Sequence, residues 1–207
     1  MTEKNSQILD AAQSVFARYG VSKTTMNDIA REAGIARQTL YNKYPGKSEV
    51  LRACVRQYGD TSLVQVQEAW KSEPTFAGQL DQFFALCPLA WFDMVKSAPE
   101  AADLLNGVNA VAAEELNEMR IKWEELWSQQ IRSATSYTGD IPSLAAFIYS
   151  TAINAKYNLS NRAELVSRLS VLRQAVLALV SSVFPKVEHH LRLRCSNQLE
   201  FAGVEPT

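Results

Sequence analysis

Apolar positions recur at three- and four-residue steps along almost the whole chain, and no stretch alternates as a half-buried strand would. Ile8, Ala12, Val15, Phe16 and Tyr19 mark one inward helical face, which Gly20 closes. Thr24-Thr25 offers an N-cap before Met26, Ile29, Ala30 and Ala33, and Gly34 ends that short helix. Arg37 to Tyr44 forms another, with Leu40 and Tyr44 turned inward and Pro45-Gly46 as its stop. A longer helix starts near Lys47, buries Val50, Leu51, Cys54, Val55 and Tyr58, and runs to about Trp70. Beyond Glu73-Pro74-Thr75 the pattern predicts Phe76–Lys96, bent by Pro88; a short turn over Glu100–Leu105, stopped by Asn106-Gly107; Val108–Ala134; Ser143–Leu159; and Arg162–Phe184, terminated by Pro185. The expectation is an all-α fold of about nine helices, with residues 186–207 as a tail.

Composition narrows the chemistry. The 207 residues are 47% hydrophobic and 21% charged, as expected of a globular protein, and no apolar run reaches the ~20 residues of a membrane span. With no apolar leader near the N-terminus, the chain reads as cytoplasmic. Three scattered cysteines (Cys54, Cys87, Cys195) fit neither a disulfide framework nor a zinc site. The two histidines, His189 and His190, lie together near the C-terminus, so no nucleophile–histidine constellation is available to the folded body. No metal, no cofactor and no enzymatic activity are expected. The net charge of −1 hides an asymmetry: residues 1–59 carry nine Lys/Arg and five Asp/Glu, the remainder twelve and seventeen. A basic N-terminal piece on an acidic body suits contact with a polyanion at one end.

The stretch Thr25–Lys47 gives that asymmetry a motif: a helix, a Gly-containing turn and a second helix. Small residues stand where the helices cross (Ala30, Ala33, Ala36), and exposed donors are offered by Arg37, Gln38, Thr39, Asn42 and Lys43. Residues 5–60 resemble the TetR family of bacterial regulators. The resemblance rests on Ile8-Leu9-Asp10-Ala11-Ala12, Phe16 and Gly20; on Thr25, Asp28-Ile29-Ala30 and Ala33-Gly34-Ile35; and on Thr39-Leu40-Tyr41, Tyr44-Pro45 and Lys47. Tyr44 replaces the usual Phe, and Gly46 replaces a capping Ser or Asn. Gln38 and Asn42-Lys43 also depart from the commoner residues, at positions the resemblance turns toward DNA.

The resemblance implies a helix-turn-helix DNA-binding domain over 1–47, a connecting helix over 48–72 and a ligand-binding and dimerisation domain over 73–185. Its partners would be a palindromic double-stranded operator and a second copy of the chain. Arg37 and Gln38, in the first turn of the second helix, suit the edges of guanine and adenine respectively. Thr39 suits a thymine methyl or a phosphate, and Asn42 lies on the same reading face. Thr25, Tyr41 and Lys47 are assigned to phosphates, and Lys43 to a phosphate or a guanine.

Within the body, Leu165, Leu169, Leu172, Val176, Leu179 and Val183 step four, three, four, three, four, the seam of helices packed at a shallow angle. With Leu144, Ile148 and Ala152 it is assigned to the dimer interface. Phe84, Cys87, Trp91, Trp123, Trp127 and Tyr157, with Asn154 as a polar anchor, are expected to line a pocket for a small, largely apolar effector. The implied function is a repressor released from its operator by that effector. The alternatives are a regulator of the same fold without an effector and, further off, a helical enzyme.

Overall fold

A computed structural model describes residues 3–98 and 100–181, and among them every regular element is helical. α1 (Glu3–Lys23) buries Ile8, Leu9, Ala12, Val15 and Phe16 and bends at Gly20, whose φ of +78° only glycine adopts without strain. Tyr19, expected inside, is 46% exposed with the Arg18 guanidinium over its ring. The bend hands the inner face on to Thr24, which is buried and donates its hydroxyl to the Gly20 carbonyl at 2.6 Å.

α2 (Met26–Glu32) and α3 (Arg37–Lys43) are joined by a turn in which Gly34 has φ +65°. Ile35 N–H reaches the Ala30 carbonyl at 3.0 Å and Gly34 N–H that of Arg31 at 3.2 Å, a Schellman closure. Tyr44 is extended, as the residue before a proline prefers, and ends α3. α4 (Lys47–Lys71) has no side-chain cap at Gly46, as expected of a glycine there. Its Val50, Leu51 and Cys54 complete the core of the N-terminal head, while Val66 and Trp70 belong to the body core.

α5 consists of Phe76–Phe84, a π-helical turn at Ala85–Leu89 and Ala90–Ser97. Pro88 has no N–H to offer the Phe84 carbonyl, and the chain absorbs the loss by widening one turn. Phe84, Cys87 and Pro88 are all buried at this turn. α6 (Ala101–Val111) continues through Asn106-Gly107, where a stop was expected. A Cβ on Gly107 would stand 2.8 Å from the Cβ of Val21, so this glycine serves the close approach of α6 to α1. α7 (Ala113–Ala134), α8 (Ile141–Asn154) and α9 (Arg162–Ser181) complete the body. α8 ends five residues before Leu159, the end expected for it.

The seam assigned to a subunit interface is occupied inside the subunit. Leu144, Ile148, Ala152, Leu165, Leu169, Leu172 and Val176 are all buried in the single chain, and Leu179 is half-buried against the same core. Val183 lies outside the described residues. A 3.5-residue period reports an apolar face but not its neighbour. Here α5 and α8 supply that neighbour, and Arg173 fixes α9 to α5 by a bidentate pair with Asp81 at 2.7 and 3.0 Å.

Candidate nucleic-acid interface

One residue anchors α3: Leu40, fully buried among Phe16, Ile29, Val50 and Leu51 in the head core. Everything that could read a duplex is left outside. Arg37, Gln38, Thr39, Asn42 and Lys43 are exposed, and Tyr41 is half-buried at the rim. The segment 33–48 contains three cations and no acid, so the face carries unopposed positive charge. Two pairs one helical turn apart order it. The Arg37 guanidinium lies 5.1 Å above the Tyr41 ring and donates to its hydroxyl at 3.3 Å, and the Gln38 amide donates to Asn42 Oδ1 at 2.8 Å. These bonds hold extended rotamers ready, and each donor can exchange its partner for a base edge or phosphate at small cost.

The scaffold behind α3 is cross-tied by groups that sequence spacing does not reveal. Tyr44 Oη donates to Asn5 Oδ1 at 2.6 Å, Gln7 Nε2 to the Ala33 carbonyl at 3.2 Å, and Gln57 Nε2 to Asp10 Oδ1 at 3.1 Å. Partial burial raises the Tyr44 phenol above its ordinary pKa, so it remains a donor.

Two residues assigned to phosphates have other work in the free protein. Thr25 caps α2: its Oγ1 accepts from Asp28 N–H at 3.2 Å and donates to the Asp28 carboxylate at 2.6 Å, which also takes Thr25 N–H at 3.0 Å. Hydrogen bonds from Thr25 hold the Asp28 carboxyl below its usual range, so an anion already sits where the phosphate was placed. Lys47 points its ammonium at the carbonyls of Val21, Thr24 and Ser22, at 2.5, 2.9 and 3.3 Å. All three of its protons are used there, clamping the bend between α1 and α2. The two roles have separate physical reasons: α2 needs an N-cap, which Thr25 supplies, and the carbonyls left free where α1 bends need donors, which Lys47 supplies.

A second set of contacts fastens this head to the body, and none was legible in the sequence. Asp103 of α6 accepts Ser22 N–H at 2.8 Å, and Lys23 meets Glu100 at 2.8 Å. Arg52 of α4 donates to the Val111 carbonyl at 2.8 Å, and Arg56 pairs with the buried Glu115 of α7 at 2.8 Å. The partners are 59 to 81 residues apart, beyond any local periodicity.

The seven residues assigned to an effector pocket divide between the interior and the edge of the body. Trp127 is fully buried, with Trp70, Phe83 and Phe76 edge-on at 4.8, 5.2 and 5.9 Å; Trp123 stacks on Tyr149 at 6.0 Å. Phe84 and Cys87 close the same interior, where burial pushes the Cys87 thiol up to about 12. Aromatic rings at helical spacing pack against one another in this interior. Asn154 is exposed and lines an open hollow between α8 and α9 with Ser150, Thr151, Ser167, Arg168 and Val171. Trp91 and Tyr157 remain together at the body's edge, their rings 6.2 Å apart. Among the described residues, no group of three or more His, Cys, Asp or Glu is placed to hold a metal ion, and no helix is long and apolar enough to cross a membrane.

A helix-turn-helix head carried on a helical body defines the class. Residues 8–54 match the profile of the bacterial regulatory proteins of the tetR family. The chain is 47% identical over 51 residues to the HTH-type transcriptional regulator SrpR of Pseudomonas putida, a match covering 25% of this chain and 24% of SrpR. It is 26% identical over 151 residues to the HTH-type transcriptional repressor KstR2 of Rhodococcus jostii, covering 70% of this chain and 72% of that one. The match thus spans about a quarter of the length of SrpR. A solved transcriptional regulator from Cytophaga hutchinsonii shares the fold, with a TM-score of 0.69 at 19% identity over 87% of this chain and 100% of that chain. Over residues 8–54 the chain is thus similar to the DNA-binding segment of the tetR family of bacterial regulatory proteins.

Proposed function

We propose that the protein is a cytoplasmic, homodimeric, sequence-specific DNA-binding repressor, released from a palindromic operator by a small effector taken up in the body. The observation that carries the DNA-binding part is the exposure of Arg37, Gln38, Thr39, Asn42 and Lys43 on a helix held by one buried leucine. An α-helix fits the major groove, and the first turn of α3 brings Arg37 and Gln38 nearest the base edges. Lys43 and Tyr41 meet flanking phosphates. Two heads on one palindrome need half-sites ~34–36 Å apart, which only a dimer of fixed geometry supplies.

The surface for that dimer is the outer face of α8 and α9, where Phe147 is 43%, Val166 43% and Val171 65% exposed. Release follows from the ties between head and body. An effector that shifts α4 or α6 moves the pairs Asp103–Ser22 and Arg56–Glu115, and with them the separation of the two α3 helices. To move the operator-bound population from nearly all to nearly none, the effector must prefer the released state by about 5.5 kcal/mol.

The test is selection of random duplexes by the purified chain. The expected product is a palindrome whose half-sites are about one helical turn, or a multiple of it, apart. Enrichment of no motif would overturn the reading. The packed interior around Trp123 and Trp127 favours a second reading, a regulator of this fold that needs no effector. Operator affinity unchanged by every compound the protein binds would select it.

A further inference from the structure

The body buries most of one ammonium without giving it a counter-ion. Lys156, just past the end of α8, holds its Nζ 3.8 Å above the Trp91 ring and 5.6 Å from that of Tyr157. Among the described residues it has no ion-pair partner and donates no hydrogen bond. Burial lowers its pKa to about 8, opposed only by the neighbouring Cys87 of the π-helical turn. At neutral pH the group is still mostly cationic, flanked by two aromatic rings and open on one side, since Tyr157 is 40% exposed.

We infer that Lys156, Trp91 and Tyr157 form a binding site for a monoanion with an apolar body, an aryl- or alkyl-carboxylate whose head pairs with the Lys156 ammonium. A carboxylate there would supply the missing counter-charge and hydrogen-bond acceptor, while the rings give flat apolar walls. The charge count limits the ligand to one negative group. Two further cations at this end of the body are engaged: Arg168 spends its guanidinium on the carbonyls of Ala155, Tyr157 and Asn158 and on the Glu164 carboxylate, and Arg162 pairs with Asp93 at 3.0 Å. A cationic ligand is disfavoured because the Trp91 ring already holds a cation. This adds one negative charge to the small, largely apolar effector expected of the sequence, and it rests on the proposal that the body takes up an effector.

The test uses the full-length protein without DNA and two probes of the same shape, 4-phenylbutanoate and 4-phenylbutanamide, titrated by calorimetry at pH 7. The acid should bind about tenfold more tightly than the amide, the effect of one charge-assisted hydrogen bond. Lys156→Met should abolish that preference, and Lys156→Arg should keep most of it. Because the free ammonium titrates near 8 and pairing raises that value, binding of the acid at pH 8 should take up protons. The enthalpy would then change with the ionisation heat of the buffer, which a purely structural lysine would not cause. Burial keeps Cys87 a thiol in this range, so Lys156 is the group read out. Equal binding of acid and amide, binding of neither up to their solubility, or an acid preference surviving in Lys156→Met would overturn the inference. Acid binding through Lys156 that leaves operator affinity untouched keeps the site and overturns effector release instead.

Discussion

The head and the body are both built from helices, yet they treat their polar and aromatic side chains in opposite ways. In the head, α3 buries Leu40 and leaves a row of donors outside, tied only to each other. In the body, the side chains that resemble a ligand-binding set are spent on the interior: Trp123 and Trp127 are buried with Phe83, Trp70 and Tyr149 around them. Exposed donors on a short helix can be assigned because their exposure follows from the 3.6-residue period and a single anchor. An aromatic ring on an inner face gives no such information, since a core and a pocket wall carry the same pattern.

The largest effects separate the two faces of the last helices. Leu172 is 4% exposed within one chain, so Leu172→Glu places an unpaired charge in the core and should unfold the body, at a cost of about 4 kcal/mol or more. Val171, one residue before it and 65% exposed, lies on the proposed dimer face. Val171→Glu should keep the thermal transition and give monomers in sedimentation. A folded, monomeric Leu172→Glu would return that residue to the subunit interface and reverse the comparison. A Val171→Glu dimer indistinguishable from wild type would place the interface elsewhere.

Next in size is the head's specificity. Arg37→Ala should cost about 1–3 kcal/mol at one base pair and relax the preference there, read as a flattened position in selected-site sequencing. The melting temperature should hardly move, because Arg37 touches only Tyr41 on the surface. An unchanged motif would take Arg37 off the reading face.

The head's helices, its Gly34 turn and the anchoring role of Leu40 were legible in the sequence, since capping, glycine conformation and local periodicity decide them. The pairing of α9 with α5 was not. Asp81 and Arg173 meet across 92 residues, and nothing near either residue marks the other. The same blindness explains Gly107, read as a stop although its role is contact with Val21 on another helix. It also explains Lys47, whose partners exist only because α1 bends at Gly20. Where a residue's neighbours are local, the pattern reaches its role; where they arrive through the fold, it reaches only its side-chain chemistry.

Lys156 tests that statement in the body. Its pKa falls from the ordinary 10.5 to about 8 by burial, so the folded chain binds the proton more weakly than the unfolded one. Below pH 8 both states carry the charge, and folding bears the full cost of burying it. Between about 8 and 10.5 the folded chain has lost a proton that the unfolded chain keeps, so stability rises across that window. Lys156→Met should therefore be about 1–2 kcal/mol more stable than wild type at pH 7, after the lost contact with Trp91 is allowed for. The gap should close as the pH passes from 8 to 10.5. Denaturant titrations of both proteins across this range measure it, and a gap that stays constant with pH would mean that the ammonium is solvated.

The smallest effect is also the sharpest within the head, because it sets two lysines of one motif against each other. Lys43 is exposed at the end of α3, and among the described residues it has no partner; Lys47, four residues on, gives all its donors to the carbonyls of Val21, Ser22 and Thr24. A lysine that pairs with a phosphate releases a counter-ion on binding, and its loss lowers the slope of log affinity against log salt by about one. Lys43→Ala should show that change and leave stability within about 0.5 kcal/mol. Lys47→Ala should do the reverse. Its salt slope should stay nearly constant, while stability falls by about 1–2 kcal/mol because the carbonyls at the α1 bend lose a charged donor. Operator affinity would then drop at every salt concentration alike, as the bend loosens and α2 no longer holds α3 at a fixed angle. Salt titrations of the two variants beside wild type distinguish the roles. A slope reduced by one in Lys47→Ala would show that the ammonium leaves its carbonyls for a phosphate on binding, and would restore it to the DNA-facing set.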